Sequence, residues 1–170
     1  MHRLHLLRHA KSVRDDALDD HERPLARRGR EDSRRIAEGL PAALGTVDLV
    51  LCSTALRTRE TAELVLSGFA APPRILFDDA IYLASRGALI RGLRQLDEAD
   101  GAVLVIGHNP GLHELAITLA AEDSPHFRAL AGGKFPTTAR ASFTIAGAWA
   151  SLGQTPHQLT DYVTPKSLDD

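Results

Sequence analysis

The sequence is poor in the features that mark special-purpose folds. Its single cysteine, Cys52, excludes an internal disulfide framework and gives a cysteine-based metal cluster no basis. No charge of one sign dominates: 20 lysines and arginines face 22 acids, for a formal net charge of −2. That balance argues against a nucleic-acid footprint or a membrane-surface protein. No apolar run approaches the ~20 residues of a membrane helix. No secretory signal is expected, because Arg3, His5, Arg8 and His9 break the hydrophobicity of residues 2–9. Nor does any repeat, low-complexity tract or linker divide the 170 residues. What remains, at 44% hydrophobic and 25% charged residues, is the composition of a soluble globular protein. We expect one cytoplasmic domain spanning residues 1–170.

What is present is arginine, clustered early: Arg8, Arg14, Arg23, Arg27, Arg28, Arg30, Arg34, Arg35, Arg57 and Arg59 all fall within the first sixty residues. A local anion site is compatible with the mild overall charge. Residues 3–8 read as a strand, a short apolar run that stops at Arg8-His9-Ala10. Residues 13–25 are polar and read as a loop. Helical spacing follows from Ala26 to about Leu40, with Pro41 and Gly45 as its end signals. Residues 47–52 form a buried-type strand, and Ser53-Thr54 is a plausible cap for a helix over 55–67. A strand over 74–77, a helix over 86–98 and a strongly apolar strand over 102–106 come next. That strand stops at Gly107-His108-Asn109-Pro110-Gly111, and a helix runs over 112–121. Residues 132–136 read as loop, 140–146 and 148–152 as strands, and the tail after Pro156 as irregular. Strands alternating with helices predict a three-layer α/β/α sandwich around a mainly parallel sheet. The strand order is not readable.

Three strand ends carry chemistry. The first delivers Arg8 and His9, the second leads through Ser53 to Arg57, and the strand over 102–106 delivers His108. In an open α/β sheet, ligands are held at the carboxyl ends of the strands. If these strands are parallel neighbours, two arginines and two histidines share one edge. Guanidinium forks hold phosphoryl oxygens by charge-assisted bidentate bonds, and Arg57 lies near a helix N-terminus. An unprotonated imidazole can attack phosphorus, and positive charge around the transferring oxygens is most of what phosphoryl transfer asks of a protein. His9 suits the nucleophile, and a cationic His108 suits the clamp. Each residue alone has a duller explanation, as a solvated, salt-bridged or core side chain. His2, His5, His21, His113, His126 and His157 read as structural or surface residues. His108 and His113 lack helical metal-ligand spacing, so no metal site is expected.

At these residues the chain resembles the histidine phosphatase superfamily, the phosphoglycerate-mutase-like fold. Leu7-Arg8-His9-Ala10 resembles its Arg-His-Gly hallmark, and the alanine is similar to that of small SixA-type phosphohistidine phosphatases. Arg23-Pro24-Leu25 with Gly29, the segment from Ser53 to Thr61, Val105 to Pro110, Phe135-Pro136-Thr137 and Val163 to Lys166 also resemble that branch. The resemblance implies that His9 is phosphorylated and that Arg8, Arg57 and His108 form the phosphate pocket, with no cofactor or metal. It places Arg23 at the rim, touching substrate, and lets Ser12 add a hydroxyl.

Larger members of the superfamily use an acid to protonate an alkoxide leaving group. Here Asp78 and Asp79 are the candidates, and neither stands in a clear acid motif. A phosphoramidate leaves as neutral imidazole once its other nitrogen carries a proton, so a minimal site suits phosphohistidine. The expectation is a phosphatase acting on a phosphorylated protein, such as a histidine-phosphotransfer domain. The alternatives are a phosphomonoesterase for a small or nucleotide substrate and a non-catalytic phosphoprotein-binding module.

Overall fold

Six strands form one sheet in the computed structural model, which describes residues 1–168. They are β1 (His2–Arg8), β2 (Leu49–Cys52), β3 (Arg74–Phe77), β4 (Ala102–Gly107), β5 (Arg140–Ile145) and β6 (Gln158–Val163). The order across the sheet is β3-β2-β4-β1-β5-β6, with the first four strands parallel, β5 antiparallel to β1, and β6 antiparallel to β5. Helices α1 (Arg27–Leu44) and α2 (Leu56–Leu66) pack on one face. On the other lie α3 (Arg86–Leu93), α4 (Gly111–Leu119) and α5 (Phe127–Gly132). The fold is therefore the expected α/β architecture around a mainly parallel sheet.

The pattern of β4 explains why it is central. All six of its residues are buried, as a strand covered on both faces requires. Val103 and Val105 join the core under α3 and α4, while Leu104 and Ile106 join the core under α1 and α2. Register then fixes the functional edge. Arg8 pairs with Gly107, and Ile106 pairs with both Leu7 and Cys52. The carboxyl ends of β1, β2 and β4 thus lie level. Because β5 runs the other way, with Arg140 opposite Leu7, the segment leading into it reaches the same edge.

Several local expectations are corrected. Pro41 does not end α1; the helix continues to Leu44 and stops at Gly45, at φ 66°. Proline at this position frees the Ala37 carbonyl, and the backbone of Gly68 packs against it. A Cβ on Gly68 would stand 2.0 Å from that oxygen. Gly68→Ala is therefore expected to lower unfolding free energy by about 1–3 kcal/mol through overpacking against backbone, read by denaturant titration. An unchanged midpoint would contradict it.

Ser53 and Thr54 do not cap α2. Its N-cap is Ala55, and the Ser53 hydroxyl accepts from the Ala55 N–H at 3.2 Å. Helix α3 stops at Leu93 instead of continuing to 98. Residues 148–152 hold a 3-10 turn, Trp149–Ser151, not a strand. Pro110 is the N-cap of α4, and the helix begins at Gly111. Helix α5 was not expected; only Leu130 of its six residues is fully buried, too short an apolar signal to read. The tail contains β6, an edge strand in which Leu159 alone is fully buried and Asp161 pairs with Arg140 at 3.0 Å. Polar residues on an edge strand hide its period-2 pattern.

Candidate active site

Arg8, His9, Arg57 and His108 line one cavity of about 1440 Å³ at the carboxyl edge of the sheet, together with Ser12 and Arg23. The structure thus brings together all six residues expected from sequence. The His9 and His108 rings lie 5.2 Å apart, tilted by 53°. Both are buried, as is Arg57.

His9 leaves the sheet directly after β1. Its N–H donates to the Gly107 carbonyl (3.1 Å), and the Thr138 N–H reaches the Arg8 and His9 carbonyls (3.1 and 3.2 Å). The ring is fixed by Nδ1–H donating to the Ala10 carbonyl at 2.7 Å. That bond assigns the proton to Nδ1 and leaves Nε2 with a free lone pair. The Ala10 N–H in turn donates to Thr61 Oγ1 (3.0 Å), tying the turn after β1 to α2.

His108 is locked from both sides. Arg57 Nη2 donates to its Nδ1 (3.3 Å), so Nε2 carries the proton and donates to Ser53 Oγ at 2.8 Å. Ser53, expected as a helix cap, is instead the residue that orients His108. Burial first, then the neighbouring His9 and the Arg57 guanidinium, push the His108 pKa down to about 3. The expected cationic His108 is thus corrected: with these partners the ring is neutral and accepts from Arg57. Burial, with Arg8 and Arg57 adding to it against the opposing Ala10 bond, pushes His9 down to about 3 as well.

The sign of the pH effect follows. An unfolded histidine takes up a proton near pH 6.5, whereas His9 and His108 in the fold do so only near 3. Below 6.5 the unfolded chain therefore binds more protons, and stability falls as pH falls. Buried His5, lowered to about 4 chiefly by desolvation, acts in the same direction. The thermal midpoint is expected to drop progressively from pH 7 to pH 4, and kcat/KM to show no acid limb at 6.5 from His9. A flat midpoint, or an acid limb near 6.5 that follows His9, would contradict these assignments.

The two arginines are held at their tips. Arg8 Nη1 donates to the Phe135 carbonyl (3.2 Å), which also accepts from Asn109 Nδ2 (2.8 Å). Arg57 Nη1 donates to the main-chain carbonyl of Asp20 (2.7 Å) and Nη2 to Asp20 Oδ2 (3.0 Å). In both arginines Nε is buried without a partner. Arg23 and Ser12 are bonded to one another, Nη1 to Oγ at 2.8 Å, and Arg23 also reaches Asp20 Oδ1 through Nε and Nη2.

Asp78 and Asp79 are absent from the cavity lining. Asp78 accepts from the Ala80 N–H (2.9 Å), and Asp79 accepts from the Thr54 hydroxyl. The carboxylates that do line the cavity are Asp15, Asp16 and Asp20. Sequence reasoning missed Asp20 and also Tyr82, whose ring meets His108 edge-on at 5.4 Å and whose hydroxyl donates to Asp20. Among the described residues no group of three or more His, Cys, Asp or Glu side chains converges to hold a metal ion. No helix among them is long and apolar enough to cross a membrane.

Two neutral imidazoles facing two guanidiniums at a parallel sheet edge define a phosphoryl-handling α/β enzyme. Comparison with known proteins is more specific. Residues 4–78 match the sequence profile of the histidine phosphatase superfamily (branch 1). An uncharacterized protein of Mycobacterium tuberculosis H37Rv is 38% identical over 148 residues, 86% of this chain and 91% of the relative. Two solved structures are similar over nearly the whole chain. One, assigned as SixA from Nakamurella multipartitia, is 27% identical with a TM-score of 0.83, over 96% of both chains. The other, the protein histidine phosphatase SixA complexed with tungstate, is 27% identical with a TM-score of 0.79, over 98% of this chain and 99% of that one. The chain belongs to the histidine phosphatase superfamily, in its SixA-type branch, and is a phosphatase.

Proposed function

We propose that this phosphatase acts on phosphohistidine carried by a protein, through a phosphorylated His9. His9 Nε2 attacks phosphorus as the bond from phosphorus to the substrate imidazole breaks. The leaving ring takes the bond's electron pair and departs neutral, provided its other nitrogen holds a proton. Water then attacks the phosphorus of phospho-His9, releasing inorganic phosphate and returning His9 to its neutral form. Arg8 and Arg57 carry the charge on the transferring oxygens, and Ser12 and Arg23 border them at the rim.

The observation that carries the choice of a protein substrate is the breadth of the cavity. At about 1440 Å³, it exceeds the ~300–1,000 Å³ usual for a small-molecule pocket. Leu18 and Leu83, 40% and 54% exposed, stand on its lining, and Leu83 adopts a positive φ of 50°. Exposed leucines around a polar site suit a folded surface better than a sugar or nucleotide. The chemistry agrees, since a neutral imidazole leaving group does without a positioned acid. A phosphorylated histidine-phosphotransfer domain in the cytoplasm is the partner this reading favours.

Asp15 and Asp16, which line the cavity, favour a second reading as a phosphomonoesterase with one of them as proton donor. Turnover of a phosphohistidine protein measured against a panel of phosphomonoesters decides between the two. The protein is expected to have the higher kcat/KM. Faster ester turnover that collapses in Asp15→Asn or Asp16→Asn would overturn the proposal.

A further inference from the structure

The guanidinium of Arg57 offers two edges, and the fold has already engaged one. Both terminal nitrogens bond Asp20, through its main-chain carbonyl and its carboxylate, and Nη2 also donates to His108 Nδ1 (3.3 Å). The inner nitrogen, Nε, is buried without a partner on a side chain only 3% exposed. Arg8 repeats the arrangement, with Nη1 on the Phe135 carbonyl and Nε buried and unpaired. Buried N–H groups without acceptors are rare in native folds and call for an explanation. Two of them sit on two arginines that line the same cavity.

Asp20 is well braced for holding Arg57. It begins the 3-10 turn Asp20–Glu22, none of whose residues is buried. Its Oδ1 accepts from Arg23 Nε (3.1 Å) and Nη2 (2.9 Å), while Oδ2 accepts from Arg57 and from the Tyr82 hydroxyl. The Tyr82 bond first, then those from Arg23 and Arg57, hold this carboxyl well below the usual carboxylate range. It therefore stays ionised and serves as an acceptor.

We infer that Asp20 is a positioning residue of the phosphate clamp, gripping both terminal nitrogens of Arg57 so that its guanidinium is fixed on the cavity wall for the transferring phosphoryl. The inference rests on the phosphoryl-transfer reading above. Its rival is a carboxylate that occupies Arg57 as a competing anion and must be expelled by phosphate. The two differ in sign: removing a competitor tightens oxyanion binding, and removing a positioning residue weakens it.

The test compares the full-length chain with Asp20→Asn and Asp20→Glu, each checked for an unchanged circular dichroism spectrum. Asp20→Asn is expected to lower kcat/KM about 10- to 100-fold, mostly through kcat, as loss of a charged hydrogen bond does. Orthovanadate, which adopts the geometry of the transferring group, should bind more weakly by a similar factor. Inorganic phosphate, a ground-state anion, should shift by less than about threefold. Asp20→Glu, which keeps the charge one methylene further out, should fall between Asp20→Asn and the parent, and it carries the test if Asp20→Asn fails to fold. In an Arg57→Ala background, Asp20→Asn should weaken vanadate binding clearly less than in the parent, because what is left is only its hold on Arg23. Tighter vanadate binding in Asp20→Asn, or an equal loss with and without Arg57, would overturn the inference. A parent chain that turns over no phosphorylated substrate would count against the phosphoryl-transfer reading instead, and vanadate binding would still decide the role of Asp20.

Discussion

His9→Ala protein is expected to form no phosphoenzyme and to lose turnover by on the order of 10⁴-fold or more, the scale of losing a covalent nucleophile. The geometry gives the reason. The Nδ1–H bond to the Ala10 carbonyl orients the ring and spends its proton, leaving Nε2 as the free lone pair. Burial keeps that nitrogen unprotonated at neutral pH. His108 offers no equivalent, because both its nitrogens are engaged, by Arg57 and Ser53. Brief incubation with a phosphohistidine protein labelled at phosphorus, followed by denaturation, reads the outcome. The parent should retain label that is stable to base and labile to acid, and His9→Ala should retain none. Label of undiminished yield in His9→Ala would remove His9 from the role.

Arg57→Ala should lower kcat/KM by about 10²–10³-fold, the effect of removing one preorganised donor from a transition-state charge site. Arg57→Lys should recover little of it. A lysine ammonium is a point charge without the planar fork, and this site uses the fork at both ends. Nη1 and Nη2 meet Asp20, and Nη2 also meets His108. A lysine cannot hold Asp20 and His108 while presenting a further N–H to phosphate. Steady-state kinetics on the two variants checks this, and an Arg57→Lys enzyme within threefold of the parent would contradict it.

How much of this was legible in sequence depends on where each residue stands. Arg8 and His9 end an apolar run, His108 ends another, and Arg57 follows a third by five positions, so strand ends alone bring them into view. Their convergence was conditional on strand order, which no local pattern encodes. Asp20 was illegible for a different reason. It shares a polar loop with Asp15, Asp16 and Asp19, and only the folded position of Arg57 distinguishes it from them. The charge of His108 was misread because burial and neighbouring guanidiniums decide it, and both are properties of the assembled edge. Helix α5 and strand β6 carry too few buried side chains to announce themselves. Helix α1 runs past Pro41, and Gly68, just beyond α2, packs against the carbonyl that the proline exposes.

The place of β4 between β1 and β2 bears on how the enzyme is made. A nascent chain that has emerged only as far as Gly101 already holds Arg8, His9 and Arg57. No register joins β1 to β2, however; each pairs with β4, and Val103, Leu104, Val105 and Ile106 each have a partner on both. The two halves of the clamp therefore wait for residues 102–107 to arrive, and for closure over some hundred residues of chain, the kind of non-local pairing that slows folding. Until that strand slots in, the chain on the ribosome carries its reactive histidine without a pocket around it.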